Sequence, residues 1–85
     1  MQLEQLFEEA VASSKLLPVK PSNETLLSLY ALYKQATIGD APADAAPENE
    51  FDFVGKAKIN SWSALNGKSK EEAMEEYIHL VNRLK

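Results

Sequence analysis

Ser69-Lys70-Glu71-Glu72-Ala73-Met74-Glu75-Glu76-Tyr77-Ile78-His79-Leu80-Val81-Asn82-Arg83-Leu84, residues 69–84, decides the fold class. Its first four residues form a capping box, in which the serine side chain and the Glu72 carboxylate each satisfy an otherwise unpaired backbone amide. Ala73, Tyr77, Leu80, Val81 and Leu84 then recur at the three- and four-residue spacing that lines one side of a helix. Glu71, Glu72, Glu75 and Glu76 make the first half acidic, as the positive end of a helix dipole favours. A helix therefore starts at Ser69 and continues to the terminus.

Just ahead of that helix, Asn66-Gly67 reads as the stop of a preceding helix over Asp52 to Leu65, with Val54, Ala57, Ser61 and Leu65 on one side. Before it, Asp40 to Phe51 reads DAPADAAPENEF, with Pro42, Pro47, four acids and no base, and predicts a loop. A loop of that length in a compact domain either covers something or moves. Ser22 caps another helix, on which Leu26, Leu29, Tyr30, Tyr33 and Thr37 share a side until Gly39 permits a stop. Nearer the start, Leu3, Leu6, Phe7, Ala10, Val11 and Ser14 mark a first helix, with Glu4, Glu8 and Glu9 early and Lys15 late. Pro18 and Pro21 block its continuation, so Leu16 to Pro21 is a connection. No strand alternation or internal repeat interrupts this pattern. Four amphipathic helices must cover one another's stripes, which predicts an all-α four-helix bundle.

Eighty-five residues suffice for one domain, spanning 1–85, and exclude a second. A hydrophobic content of 45% with 26% charged residues places the chain among folded rather than disordered proteins. With no cysteine and one histidine, disulfides, thiolate sites, cysteine nucleophiles and the usual zinc ligand sets are absent, so neither a metal nor a resident cofactor is expected. The net charge of -4 opposes the field of a nucleic-acid binder. The apolar runs are far shorter than a bilayer span, and the acidic start, Met1 to Glu9, lacks the apolar core of a signal peptide. The expectation is a soluble cytoplasmic protein without stable membrane insertion. No unused heptad stripe remains, which points to a monomer.

Tyr30, Tyr33 and Lys34 stand at i, i+3 and i+4 and share a side of the second helix. Two phenols and an ammonium facing one way suit a phosphate, and the rings offer stacking surface to a base. The competing reading is two boundary tyrosines and a solvated lysine. Lys56 and Lys58 sit early in the third helix, where the dipole disfavours cations; an anionic ligand or a neighbouring acid such as Asp52 would compensate. Trp62 reads as a packing anchor between helices, Met74 as gap-filling core and His79 as a solvated or boundary side chain. A thioesterase would need a Ser-His-Asp or Cys-His constellation, which is missing. A helical adaptor whose groove accepts a partner helix is the alternative of another class.

The run Tyr30-Ala31-Leu32-Tyr33-Lys34-Gln35-Ala36-Thr37-Ile38-Gly39-Asp40 closely resembles the Y-x-x-Y-K-Q-A-T-x-G-D signature of the acyl-CoA-binding protein family. Lys20-Pro21-Ser22, Asp52-Phe53-Val54-Gly55-Lys56-Ala57-Lys58 with Trp62, and Lys68 to Ile78 agree in order and approximate spacing. The resemblance covers nearly the whole chain. It implies an up-down-down-up four-helix bundle that holds one long-chain fatty acyl-CoA in a surface cleft without chemistry. By matching position it implies that Tyr30, Tyr33, Lys34 and Lys58 hold the ribose 3′-phosphate and that Tyr77 contacts the adenine and nucleotide region. It also implies Lys15 and Lys20 at the cleft rim, Leu26 and Leu27 against the acyl chain, and Ala10 close to the ligand. Ile59 stands where many members have tryptophan, Val54 where many have lysine, and the Ala41 to Glu50 loop is slightly long and rich in alanine and acid. Leu17-Pro18 is a further local variation. The loss of an aromatic or cationic wall predicts a lower affinity.

Overall fold

The computed structural model describes residues 2–45 and 51–85. Four helices, α1 Gln2–Ser14, α2 Asn23–Thr37, α3 Phe53–Ser63 and α4 Lys70–Leu84, account for its regular structure, and no strand occurs among the described residues. The expected all-α four-helix architecture is the one found. The boundaries follow the local chemistry. Ser22 accepts the Thr25 amide at 3.2 Å, Asp52 the Gly55 amide at 2.9 Å, and Ser69 the Glu72 amide at 3.0 Å, closing the capping box. Gly39 and Gly67 follow α2 and α3 with φ of 106° and 94°, a region costly for side chains with a Cβ. The expected loop from Asp40 to Phe51 has no regular structure over 40–45, and its residues 46–50 lie outside the described residues.

The principal core lies between α1, α2 and α4: Phe7 and Ala10, Leu29, Leu32 and Ala36, then Ala73, Tyr77 and Val81. The α4 stripe behaves as its periodicity predicts, with Ala73, Tyr77 and Val81 buried and Leu80 and Leu84 packed on the edge of the core, joined there by Met74. A second cluster, Ala31, Ala41 and Trp62 with Leu65, attaches α3 to the other flank of α2. The helix contacts match this division: α4 packs on α1 and α2, and α3 packs on α2.

Because α2 is flanked on two sides, its expected stripe needs correction. The buried residues are Leu29, Ala31, Leu32, Gln35 and Ala36, whereas Tyr33 is 41% exposed and Leu26 and Thr37 also face solvent. The tyrosine-bearing side is left open because the alanine and leucine sides are used by neighbouring helices. The α3 stripe is likewise different: Trp62 is its buried residue and Val54 is 66% exposed, since α3 has one packing partner rather than two. Leu6 on α1 is half exposed for the same reason, at the margin of the α1–α4 contact.

Gln35 is wholly buried, and its Nε2 donates to Asp40 Oδ1 and to the Lys68 carbonyl, both at 2.8 Å. The Gly67 amide donates to the same Asp40 oxygen, Asn66 Oδ1 accepts the Ala41 amide, and Trp62 Nε1 donates to the Gly39 carbonyl at 2.8 Å. These bonds fasten the end of α2 to the α3–α4 turn. The Gly67 amide, then the Gln35 amide, hold the Asp40 carboxyl below its ordinary range, because both stabilise its charged form.

Candidate functional site

The open side of α2 carries two adjoining hollows that share Leu26. One, of about 340 Å³, is lined by Val11, Ser14, Lys15, Leu26, Leu29, Tyr30, Tyr33 and Tyr77. The other, of about 370 Å³, lies between α2 and α3 and is lined by Asn23, Leu26, Leu27, Val54, Ala57 and Lys58. The first is walled by phenols and a lysine, and the second is mainly aliphatic.

The aromatic wall has a buried scaffold. Phe7 stacks against Tyr33 with ring centroids 6.0 Å apart and meets Tyr77 edge to face at 5.1 Å. Tyr77, 4% exposed, donates a hydrogen bond from its hydroxyl to Ser14 Oγ at 3.1 Å, and the Ser14 hydroxyl in turn donates one to the Val11 carbonyl at 2.7 Å. Tyr77 thus belongs to both the core and the hollow, its hydroxyl fixed at the boundary.

The cations gather around one ring. Lys34 Nζ lies 5.8 Å and Lys58 Nζ 5.3 Å from the Tyr30 centroid, although these lysines come from different helices. Lys34 Nζ is also 5.8 Å from the Trp62 ring. Neither ammonium makes an ion pair among the described residues, where the ion pair formed is Lys68 with Glu76. Two like charges are therefore held near one phenol without a carboxylate partner among the described residues, an arrangement that a multiply charged anion would relieve.

Of the ten residues expected at the site, the fold brings Tyr30, Tyr33, Lys34, Lys58, Lys15, Leu26, Leu27 and Tyr77 onto these two hollows or the ring between them. Ala10 is instead 6% exposed inside the principal core, and Lys20 is exposed in the α1–α2 connection; neither lines the hollows. Val11, Ser14, Leu29, Asn23 and Ala57 are walls that the sequence did not single out for this purpose, whereas Val54, noted for standing where many members have lysine, lines the aliphatic hollow. Phe7, Ala10, Val11 and Ser14 stand at i, i+3, i+4 and i+7 and so share a side of α1, but nothing in one sequence distinguishes a hollow's wall from its core. Of the two ways to compensate the early α3 lysines, pairing with Asp52 is not the one found: its carboxylate caps Gly55, and Lys56 Nζ sits over the Phe53 ring at 5.7 Å.

A larger hollow, about 680 Å³, lies between α2 and α4, lined by Ser28, Leu32, Glu76, His79, Leu80, Asn82 and Arg83. It has no tyrosine, phenylalanine or tryptophan wall, and Glu76 sets an anion beside the Arg83 cation, so its size does not make it the better phosphate or adenine site. His79 there is exposed. Among the described residues, no group of three or more His, Cys, Asp or Glu could hold a metal ion, and no helix is long and apolar enough to cross a membrane.

Known proteins resemble this chain in both sequence and fold. The sequence model of the family described as "Acyl CoA binding protein" matches residues 4–81. Acyl-CoA-binding protein of Saccharomyces cerevisiae is 49% identical over 94% of this chain and 90% of its own length. The protein of the same name from Gossypium hirsutum is 46% identical over 99% of this chain and 92% of its own. The crystal structure of Oryza sativa acyl-CoA-binding protein 2 superposes with a TM-score of 0.84 at 45% identity, covering 96% of this chain and 89% of that one. With its four helices, its Tyr30–Asp40 segment and a match across nearly its full extent, the chain belongs to the acyl-CoA-binding protein family, a family of binding proteins rather than enzymes.

Proposed function

We infer that residues 1–85 form a single domain that binds a medium- to long-chain fatty acyl-CoA ester non-covalently and carries it as a monomer in the cytoplasm. The observation that carries this reading is the placement of two ammonium groups, from α2 and α3, against one phenol at the junction of a phenol-walled and an aliphatic hollow. Tyr30, Tyr33, Lys34 and Lys58 are assigned to the ribose 3′-phosphate, a near-dianion at neutral pH that matches several cationic and hydroxyl donors. Tyr77 and the adjoining rings are assigned to the nucleotide, Lys15 to the rim, and Leu26 and Leu27 to the acyl chain. Val54 widens this aliphatic wall.

Each buried methylene contributes about 0.8 kcal/mol, so a palmitoyl tail offers on the order of 10 kcal/mol before ordering costs are deducted. The tail therefore supplies affinity, and the phosphate end supplies selectivity against free fatty acids. Titration calorimetry with palmitoyl-CoA, free CoA and palmitate tests the reading. The thioester should bind more tightly than either fragment; equal affinity for palmitate and palmitoyl-CoA contradicts it.

A further inference from the structure

Trp62 reaches Lys34 at both ends of the lysine. The Lys34 carbonyl accepts the Ile38 and Gly39 amides at 2.8 and 3.2 Å, which closes the end of α2. The Gly39 carbonyl in turn accepts Trp62 Nε1 at 2.8 Å, and the Trp62 ring lies 5.8 Å from the Lys34 ammonium. Backbone, turn, indole and side chain thus make a closed circuit. Packing among Ala31, Ala41 and Leu65 requires apolar volume at position 62, but it requires neither an N–H aimed at Gly39 nor a ring face under a cation.

We propose that Trp62 is a positioning residue for phosphate recognition, its ring holding the Lys34 ammonium beside Tyr30 before ligand arrives. The proposal rests on the acyl-CoA reading and adds a role to a residue that sequence assigns to packing. Its physical basis is preorganisation. A lysine has a long flexible stem, and binding is weakened by whatever ordering that stem must undergo when the anion arrives. Contact with two rings reduces the arrangements open to the free protein, and a cation held against a largely dehydrated indole face needs no counterion there. Trp62 is 7% exposed, so water competes little for that face. The indole N–H acts on the other end, fixing the turn from which Lys34 departs.

The test compares palmitoyl-CoA with palmitoyl-3′-dephospho-CoA by calorimetry on the parent, Trp62→Leu, Trp62→Phe, Lys34→Ala and the Lys34→Ala/Trp62→Leu double variant. The readout is the ratio of the two dissociation constants, which a general loss of packing would leave unchanged. Removing the ring in Trp62→Leu should lower the parent's preference for the phosphorylated ligand by about three- to fivefold. Trp62→Phe, which keeps a ring face and loses the N–H, should retain most of it while melting at a lower temperature. In the Lys34→Ala background, Trp62→Leu should change the ratio no further. An unchanged ratio in Trp62→Leu, or an equal drop with and without Lys34, overturns the proposal while leaving the acyl-CoA reading intact. No preference in the parent overturns the phosphate assignment and this role together. Should Trp62→Leu not fold, NMR of the Lys34 ε-methylene protons decides: they should shift between the ligand-free parent and Trp62→Phe, and identical shifts overturn the contact.

Discussion

Replacing Lys34 by alanine should separate binding from folding. Its ammonium lies 5.8 Å from both the Tyr30 and the Trp62 ring and the residue is half-buried, whereas Lys58 reaches the same Tyr30 ring from an exposed position. Hydrogen bonds to a charged partner contribute roughly 1.5 to 3 kcal/mol each, with the upper part of that range belonging to sheltered groups. Lys34→Ala should therefore weaken palmitoyl-CoA binding by about 2 to 3 kcal/mol, or roughly 30- to 150-fold, and Lys58→Ala by about 1 to 2 kcal/mol. The ligand-free protein should not suffer in proportion. It holds two like charges near one ring with no ion pair to either among the described residues, so removing one relieves repulsion and loses only cation–ring contacts of about 0.5 to 1 kcal/mol. Calorimetric titration gives the affinity, and thermal melting without ligand gives the stability. Raised ionic strength should narrow the gap between parent and variant, as screening of a partly exposed charge demands. Unchanged affinity in Lys34→Ala, or a loss of affinity matched by a comparable loss of stability, refutes the reasoning.

Other consequences follow from the clamp and the core. The Asp40 carboxyl titrates lower in the folded than in the unfolded chain, so its contribution to stability is present above the unfolded value of 3.8 and is lost as pH falls through the lower folded one. Acid unfolding of Asp40→Asn should accordingly lose part of the parent's pH dependence below about pH 4, and superimposable acid profiles would contradict the assignment. Gln35→Leu strips two donors from Asp40 and the Lys68 carbonyl and should cost about 2 to 4 kcal/mol in denaturant unfolding, against almost nothing if the clamp is incidental. Tyr77→Phe removes the bond to Ser14 and should cost about 1 kcal/mol, while Tyr77→Ala opens a cavity in the α1–α2–α4 core and should cost about 3 to 5 kcal/mol. Similar melting temperatures for the two variants would place Tyr77 outside that core.

The parts legible in sequence are those governed by local rules. The capping box at Ser69, the turn glycines and the α4 stripe depend on neighbours three or four residues away, and they appear in the fold as written. The α2 stripe was not legible in this way, because hydropathy favoured Leu26, Tyr30 and Tyr33 while the helix buries Ala31, Ala36 and Gln35. Alanine permits close approach of α3 and α4 but contributes little to an apolar count, and a buried glutamine looks like a surface residue until its partners at Asp40 and Lys68 are known. The second half of the Tyr30–Asp40 segment, which belongs to the family signature but is given no ligand contact, is largely a fastening between α2 and the α3–α4 turn. The meeting of Lys58 with Tyr30 joins positions 28 residues apart, and periodicity carries no information about it.

The most direct measurement is a crystal structure of the protein with palmitoyl-CoA. The 3′-phosphate should lie within hydrogen-bonding reach of Lys34, Lys58 and the Tyr30 hydroxyl, with the acyl chain passing Leu26 toward Leu27 and Val54. A phosphate seated instead beside His79 and Arg83 in the larger α2–α4 hollow would contradict the account.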